Sequence, residues 1–159
     1  MAKAAYSTGG FYSVTVILSP YHTGLRDHRV GDGPNRIMSR GIVKSLQDLG
    51  IAVETMEIER VDDFEGEIGR TFENLARTSK AVSKAMEARS FPLMLAGNCM
   101  NSVGVACALG PREIDYLYFD AHDDLHTPNT NVHGYFDAIG LPVLAGEKFP
   151  CSRKQYTGV

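Results

Sequence analysis

The sequence predicts an α/β fold, a mainly parallel sheet enclosed by helices, on three observations. Short β-branched apolar runs recur along the chain, amphipathic stretches of helical period separate them, and the runs stop at segments rich in Gly, Pro or Asp. With 159 residues, 43% of them hydrophobic, the chain has the material for one domain with its own core. The 16 Lys+Arg against 19 Asp+Glu give a net charge of -3, which leaves no electrostatic footprint for nucleic acid or an anionic membrane. Balanced charge and a substantial apolar fraction exclude a disordered chain. No apolar stretch approaches the roughly 20 residues that span a bilayer, and Met1–Gly10 lacks the apolar core of a secretion signal. Cys99, Cys107 and Cys151 are odd in number and show no C-x-x-C spacing, so neither a disulfide framework nor a zinc knuckle is indicated. A soluble, cytoplasmic protein is expected.

The first strand is expected at Val14–Leu18, apolar on both faces and stopped by Ser19-Pro20. A polar loop from Tyr21 to Gly33 follows. Pro34 sits where a first helical residue would, and Gly50 where a helix C-terminal cap would. Between them Met38, Ile42, Leu46 and Leu49 form one face, predicting a helix over Asn35–Leu49. Val53–Ile58 alternates and reads as a half-exposed edge strand. Ile68, Phe72, Leu75, Ser79, Val82 and Met86 mark the core stripe of a long helix over Glu65–Arg89. Leu93–Ala96 is the third strand, ended by Gly97-Asn98-Cys99. Small residues from Asn101 to Ala108 suit a helix packed close to the sheet, and Tyr116–Phe119 is the fourth strand, running into Asp120. In such sheets ligands gather beyond the carboxyl ends of the strands.

Asp120, His122 and Asp124 leave that edge at every second position. In an extended segment such positions point the same way, so two carboxylates and an imidazole can converge. Mixed O and N donors suit Mn, Zn or non-haem Fe better than Ca, and two ions sharing one water would lower its pKa toward neutrality. The competing reading is a solvated acidic loop in which Asp and His only cap a turn.

Asp120-Ala121-His122-Asp123-Asp124-Leu125-His126-Thr127-Pro128 resembles the D-A-H-x-D-x-N-T-P signature of the arginase/agmatinase ureohydrolase family. Gly31-Asp32-Gly33-Pro34 resembles the family's first-loop G-x-G-P, and Leu93–Cys99 falls where members carry a strand ending in G-G-D-H. The resemblance, which runs from about Val14 to Leu144, implies a three-layer αβα arginase-like domain over residues 1–150, incomplete, with a tail at 151–159. It also implies a pair of Mn ions and a bridging hydroxide that attacks a guanidinium carbon. Asp120 would bridge the ions, His122 would bind one and Asp124 the other.

The chain departs from the family in three places. Cys99 replaces the metal-binding His of G-G-D-H, and Asn98 the Asp before it. A thiolate is softer and more at home on Zn or Fe, so Cys99 is either a metal ligand or a small buried hydrophobe. Ungapped pairing puts His133 on the Ser of the family's S-G-N substrate loop and Asp137 on its catalytic His. Both are therefore candidate catalytic residues, with Asp137 as base or proton relay or as a plain helical carboxylate. His126 replaces a motif Asn and reads as turn-forming rather than ligating. Finally, members later supply an S-x-D-x-D motif on strands lying between the third and fourth, and this chain has the N-terminal half only.

Exposed sheet edges then make a homo-oligomer the expectation. The leading reading is an arginase-like, metal-dependent hydrolase of linear C–N bonds acting on a small guanidino-type substrate, impaired or inactive in this short form, with at most one Mn, Zn or Fe bound. The alternative is a non-catalytic binding or interaction protein on the same half-fold. Nucleotide binding through Gly31-Asp32-Gly33 is disfavoured, since G-x-G-x-x-G is missing.

Overall fold

The computed structural model describes residues 10–61, 66–110, 115–127, 129–132, 134 and 136–145. Its central strand, β1 (Ser13–Ser19), has the β-branched run expected of a strand covered on both faces, and Thr15 to Ser19 are buried. A two-residue antiparallel ribbon, β2 (Tyr21–His22) with β3 (Leu25–Arg26), and a 3-10 turn (Arg29–Asp32) fold the polar loop back on itself. Helices α1 (Gly33–Ser39) and α2 (Ile42–Asp48) lead to β4 (Ala52–Glu57). The long α3 (Glu67–Glu87) precedes β5 (Ser90–Ala96), followed by α4 (Asn101–Leu109), a 3-10 turn (Phe136–Ile139) and α5 (Gly140–Leu144). No helix among the described residues is long and apolar enough to cross a membrane.

The sheet order is β4-β1-β5, with both pairings parallel. Alternation along the strands splits the core into two layers. Met56, Ile17 and Met94 form a cross-sheet row beneath Ala81, Val82 and Ala85 of α3. Val16, Leu18 and Leu95 face the other way, against Met38 of α1 and Ile42, Val43 and Leu46 of α2. This is the three-layer αβα arrangement.

Four expectations need correction. The helix expected over Asn35–Leu49 is two helices, because Gly41 adopts φ +84°, a left-handed conformation that interrupts the hydrogen-bond ladder. Leu49 leaves the core and is 76% exposed. The buried face of α3 is Thr71, Asn74, Leu75, Thr78, Ala81, Val82 and Ala85, so only Leu75 and Val82 of the apolar stripe are buried. Burial of the polar members is met by hydrogen bonds: Ser19 Oγ donates to Asn74 Oδ1 at 2.9 Å and Thr78 Oγ1 to Asn101 Oδ1 at 2.9 Å. Phe72 instead meets the ring of Phe136 edge-on at 5.8 Å.

The fourth expected strand is not one. Residues 115–120 carry no regular secondary structure, and Leu117 and Phe119 are 85% and 94% exposed. Among the described residues no strand lies beyond β5 to pair with the segment. Gly97 N–H bonds Ser19 O at 3.2 Å. By ladder alternation, the backbone groups of Met94 and Ala96 then face the unpaired edge. Pro92, which has no N–H, points the same way, as proline in an edge strand should.

Where β5 ends, Gly97 passes against the loop after β1. A methyl at Gly97 would lie 2.2 Å from Tyr21 O and 2.6 Å from Gly31 Cα, both backbone atoms that cannot swing aside. Gly97→Ala is expected to lower stability to urea by about 1–3 kcal/mol. Gly33→Ala, whose methyl meets nothing within 4 Å, is the control with little expected change. Equal unfolding midpoints for the two variants reject the close-packing account.

Candidate metal centre

The candidate centre lies at the carboxyl edge of the sheet. The Gly97 contact fixes the direction in which the chain leaves β5, and Cys99 follows as it turns into α4. The segment carrying the acidic residues is held from α4, through the Tyr116 hydroxyl donating to Ser102 O at 3.3 Å. Asp120 closes a local turn by accepting the His122 N–H on Oδ1 at 3.0 Å. Asp124 is 7% exposed and sits at φ +47°, an uncommon conformation for a residue with a Cβ and one concentrated at functional sites. Its Oδ2 accepts the Tyr118 hydroxyl at 2.5 Å.

These turns bring one ligand atom each from Cys99, Asp120 and Asp124 within 4.8 Å of one another. The Cys99 thiol donates to Asp120 Oδ2 at 3.5 Å. A groove of about 320 Å³ opens beside them, between the free edge of β5 (Met94, Ala96) and Tyr116, Tyr118 and Asp120. In its wall, Asn98 Oδ1 is buried without a hydrogen-bond partner.

Burial pushes the Cys99 thiol up to about 11; the Tyr118 hydrogen bond works in the opposite direction, and the neighbouring carboxylates reinforce the rise. The Asp120 carboxyl is held below its usual range, chiefly by the His122 N–H. Burial, with the bond to Asp124, raises the Tyr118 hydroxyl as well. A raised thiol pKa means little thiolate at neutral pH and hence low nucleophilicity. Iodoacetamide at pH 8 is therefore expected to modify the exposed Cys107 and largely spare Cys99, with Cys99 alkylation still accelerating as pH rises toward 11. Mass spectrometry showing Cys99 modified as fast as Cys107 at pH 8 contradicts this.

Of the residues expected from the sequence, Asp120, Asp124 and Cys99 come together. The His122 side chain is 82% exposed, with Nδ1 3.4 Å from Asp120 Oδ1, and lies outside the grouped donors. Asp137 is half-buried on the 3-10 turn Phe136–Ile139 and is not among those donors either. His133 lies outside the described residues, as does the tail from Cys151. His126 forms a turn: its N–H bonds Ala138 O at 3.1 Å, and its Nδ1 lies 3.4 Å from Thr130 Oγ1. Sequence reasoning missed Tyr118, treating it as strand filling. The signal was present, because Tyr118 continues the every-second-residue series of Asp120, His122 and Asp124 backward by one step.

Comparison with known proteins agrees with this architecture. A sequence profile of the Arginase family matches residues 12–146. Arginase from Bacillus subtilis (strain 168) is 25% identical over 144 residues, covering 82% of this chain and 49% of that protein. Arginase from Saccharomyces cerevisiae is 25% identical over 150 residues, covering 76% and 45%. Among solved structures, arginase from Bacillus subtilis superposes with a TM-score of 0.72 at 25% identity, over 82% of this chain and 46% of that one. The arginase of Bacillus caldovelox gives 0.70 at 18% identity, a likeness of fold. The chain spans about half the length of the curated relatives it matches. With the profile covering most of its length, and the shared part being the sheet that carries Cys99 and leads to Asp120, the chain belongs to the arginase family.

Proposed function

We propose that this chain is a metal-dependent C–N hydrolase scaffold of ureohydrolase type that holds a single divalent ion and, in this 159-residue form, turns over arginine or agmatine little or not at all. The observation that carries the reading is the convergence of Cys99, Asp120 and Asp124 within 4.8 Å at the carboxyl edge of the sheet. One sulfur and two carboxylate oxygens fit one ion, and the sulfur favours Zn or Fe over Mn. They do not fit two, because dications about 3.5–4 Å apart repel strongly unless several carboxylates offset them. When bound, an ion here supplies Lewis acidity toward a guanidino or amidino group.

The remaining work falls to the chain's own side chains. A guanidinium is a planar cation with several N–H donors, and the groove offers it two kinds of acceptor: the partly exposed Asp120 carboxylate and the unpartnered Asn98 Oδ1. Met94, Val105 and the tyrosine rings provide apolar walls for an alkyl stem. His122, beside Asp120, is the nitrogen donor we assign as a fourth ligand when its exposed ring turns inward.

Elemental analysis of the purified chain is expected to give at most one Mn, Zn or Fe per chain, lost on Asp124→Ala, with urea release from arginine or agmatine at or near background. Two tightly held ions per chain, or urea release that disappears on Asp124→Ala, overturns the reading. No metal at all decides for a binding protein without catalysis.

Self-association is part of the same proposal. The free edge of β5 and the exposed Leu117 and Phe119 leave backbone and apolar groups uncovered, and such edges recruit other chains. Light scattering at about tens of micromolar, a range where edge association appears, is expected to show a homo-oligomer. A stable monomer rejects it.

A further inference from the structure

The Tyr118 phenol touches two of the three grouped donors. Its hydroxyl donates to Asp124 Oδ2 at 2.5 Å, it faces the Cys99 thiol, and its ring lines the groove beside Cys99 and Asp120. Asp124 is the most buried of the three and sits in a left-handed backbone conformation, so its carboxylate has few ways to turn. A carboxylate held through one oxygen presents the other in a fixed direction. Hydrogen bonds to ligating carboxylates set geometry and affinity in just this manner.

We infer that Tyr118 is the positioning residue of the metal centre: by holding Oδ2 of Asp124 it leaves Oδ1 to meet the ion alone, so that Asp124 binds through a single oxygen. The inference rests on the metal-centre reading above. It also explains why a tyrosine shares one side of the chain with Asp120 and Asp124 although the segment forms no strand.

The test uses the whole chain and its Tyr118→Phe variant, with Zn²⁺ as one probe in competition with a chromophoric chelator and Co²⁺ as the other, read by visible absorption. The wild type is expected to bind one ion. Tyr118→Phe is expected to bind Zn²⁺ about tenfold more weakly. Its Co²⁺ ligand-field bands should weaken, since a freed carboxylate swings to bidentate binding and raises the coordination number, while the sulfur-to-cobalt band of Cys99 persists. A merely structural tyrosine would lower the melting temperature of the metal-free protein yet leave the affinity of the folded fraction and the Co²⁺ spectrum where they were. That pattern overturns the inference, as does tighter binding by the variant, which would mean that the phenol competes with the ion. Should Tyr118→Phe not fold, the near-ultraviolet difference spectrum of the wild type on Zn²⁺ addition decides. Absence of a tyrosinate band on saturation is expected of a phenol that keeps its proton for Asp124, and appearance of the band makes Tyr118 a ligand and overturns the proposal. A wild type that binds neither ion removes the metal-centre reading itself, whereas one that binds both indistinguishably from the variant removes only the role of Tyr118.

Discussion

Both ladders of the sheet run through one strand, and the molecule is arranged around the requirement that this strand be covered on every side. β1 is paired to β4 along one edge and to β5 along the other, with Val16 and Ile17 fully buried on opposite faces. A parallel strand cannot be reached by a tight hairpin, so each neighbour arrives through a helical crossover. The crossovers supply the two helical layers, α1 and α2 on one face, α3 and α4 on the other. A parallel sheet also sends all of its strand ends the same way. The loop after β1 and the turn after β5 therefore meet at one edge, close enough that Gly97 has no room for a methyl group. Cys99 is placed by that contact.

The same edge shows how an incomplete sheet alters chemistry. Beyond β5 the segment 115–120 has strand-like composition and no strand partner. It is held instead by side chains, Tyr116 to Ser102 O and Tyr118 to Asp124. Asp120 and Asp124 consequently approach Cys99 by turns rather than by the ladder of a strand. Thiol and carboxylates are then mutually inhibiting in the metal-free state: burial and the nearby acids keep Cys99 protonated, and the thiol proton is spent on Asp120. An ion entering such a cluster displaces a proton as it binds, which couples occupancy to protonation.

Helix α3 makes a related point about polar groups in a core. Its buried face includes Thr71, Asn74 and Thr78, residues that a hydrophobic stripe would never include. Ser19 from β1 and Asn101 from α4 provide the matching hydrogen bonds, so burial costs little. Small and hydroxyl side chains also let α3 approach the sheet more closely than a row of Phe and Ile would. Ile68 and Phe72 stay at the margin, 40% and 50% exposed.

The sequence by itself determined the fold class, three of the strands, the long helix and the family. Each of these rests on local information: β-branched runs, a sustained helical period, and a short motif, Asp120 to Pro128, whose residue types are constrained by chemistry. It also singled out Cys99, Asp120 and Asp124, because donor types at a strand end or at every second position can be read without coordinates. Only the tertiary structure decided whether a strand-like segment is a strand, since Tyr116–Phe119 needed a neighbour that sequence pattern does not supply. The same holds for the face α3 buries, which depends on Ser19 and Asn101, 55 and 23 residues away along the chain from their partners Asn74 and Thr78. It holds as well for Tyr118, whose role exists only once Asp124 turns back toward it at φ +47°. Period and composition report what a residue prefers, whereas pairing, burial and hydrogen-bond partners are properties of two segments at once, and the second segment is known only when the chain has folded.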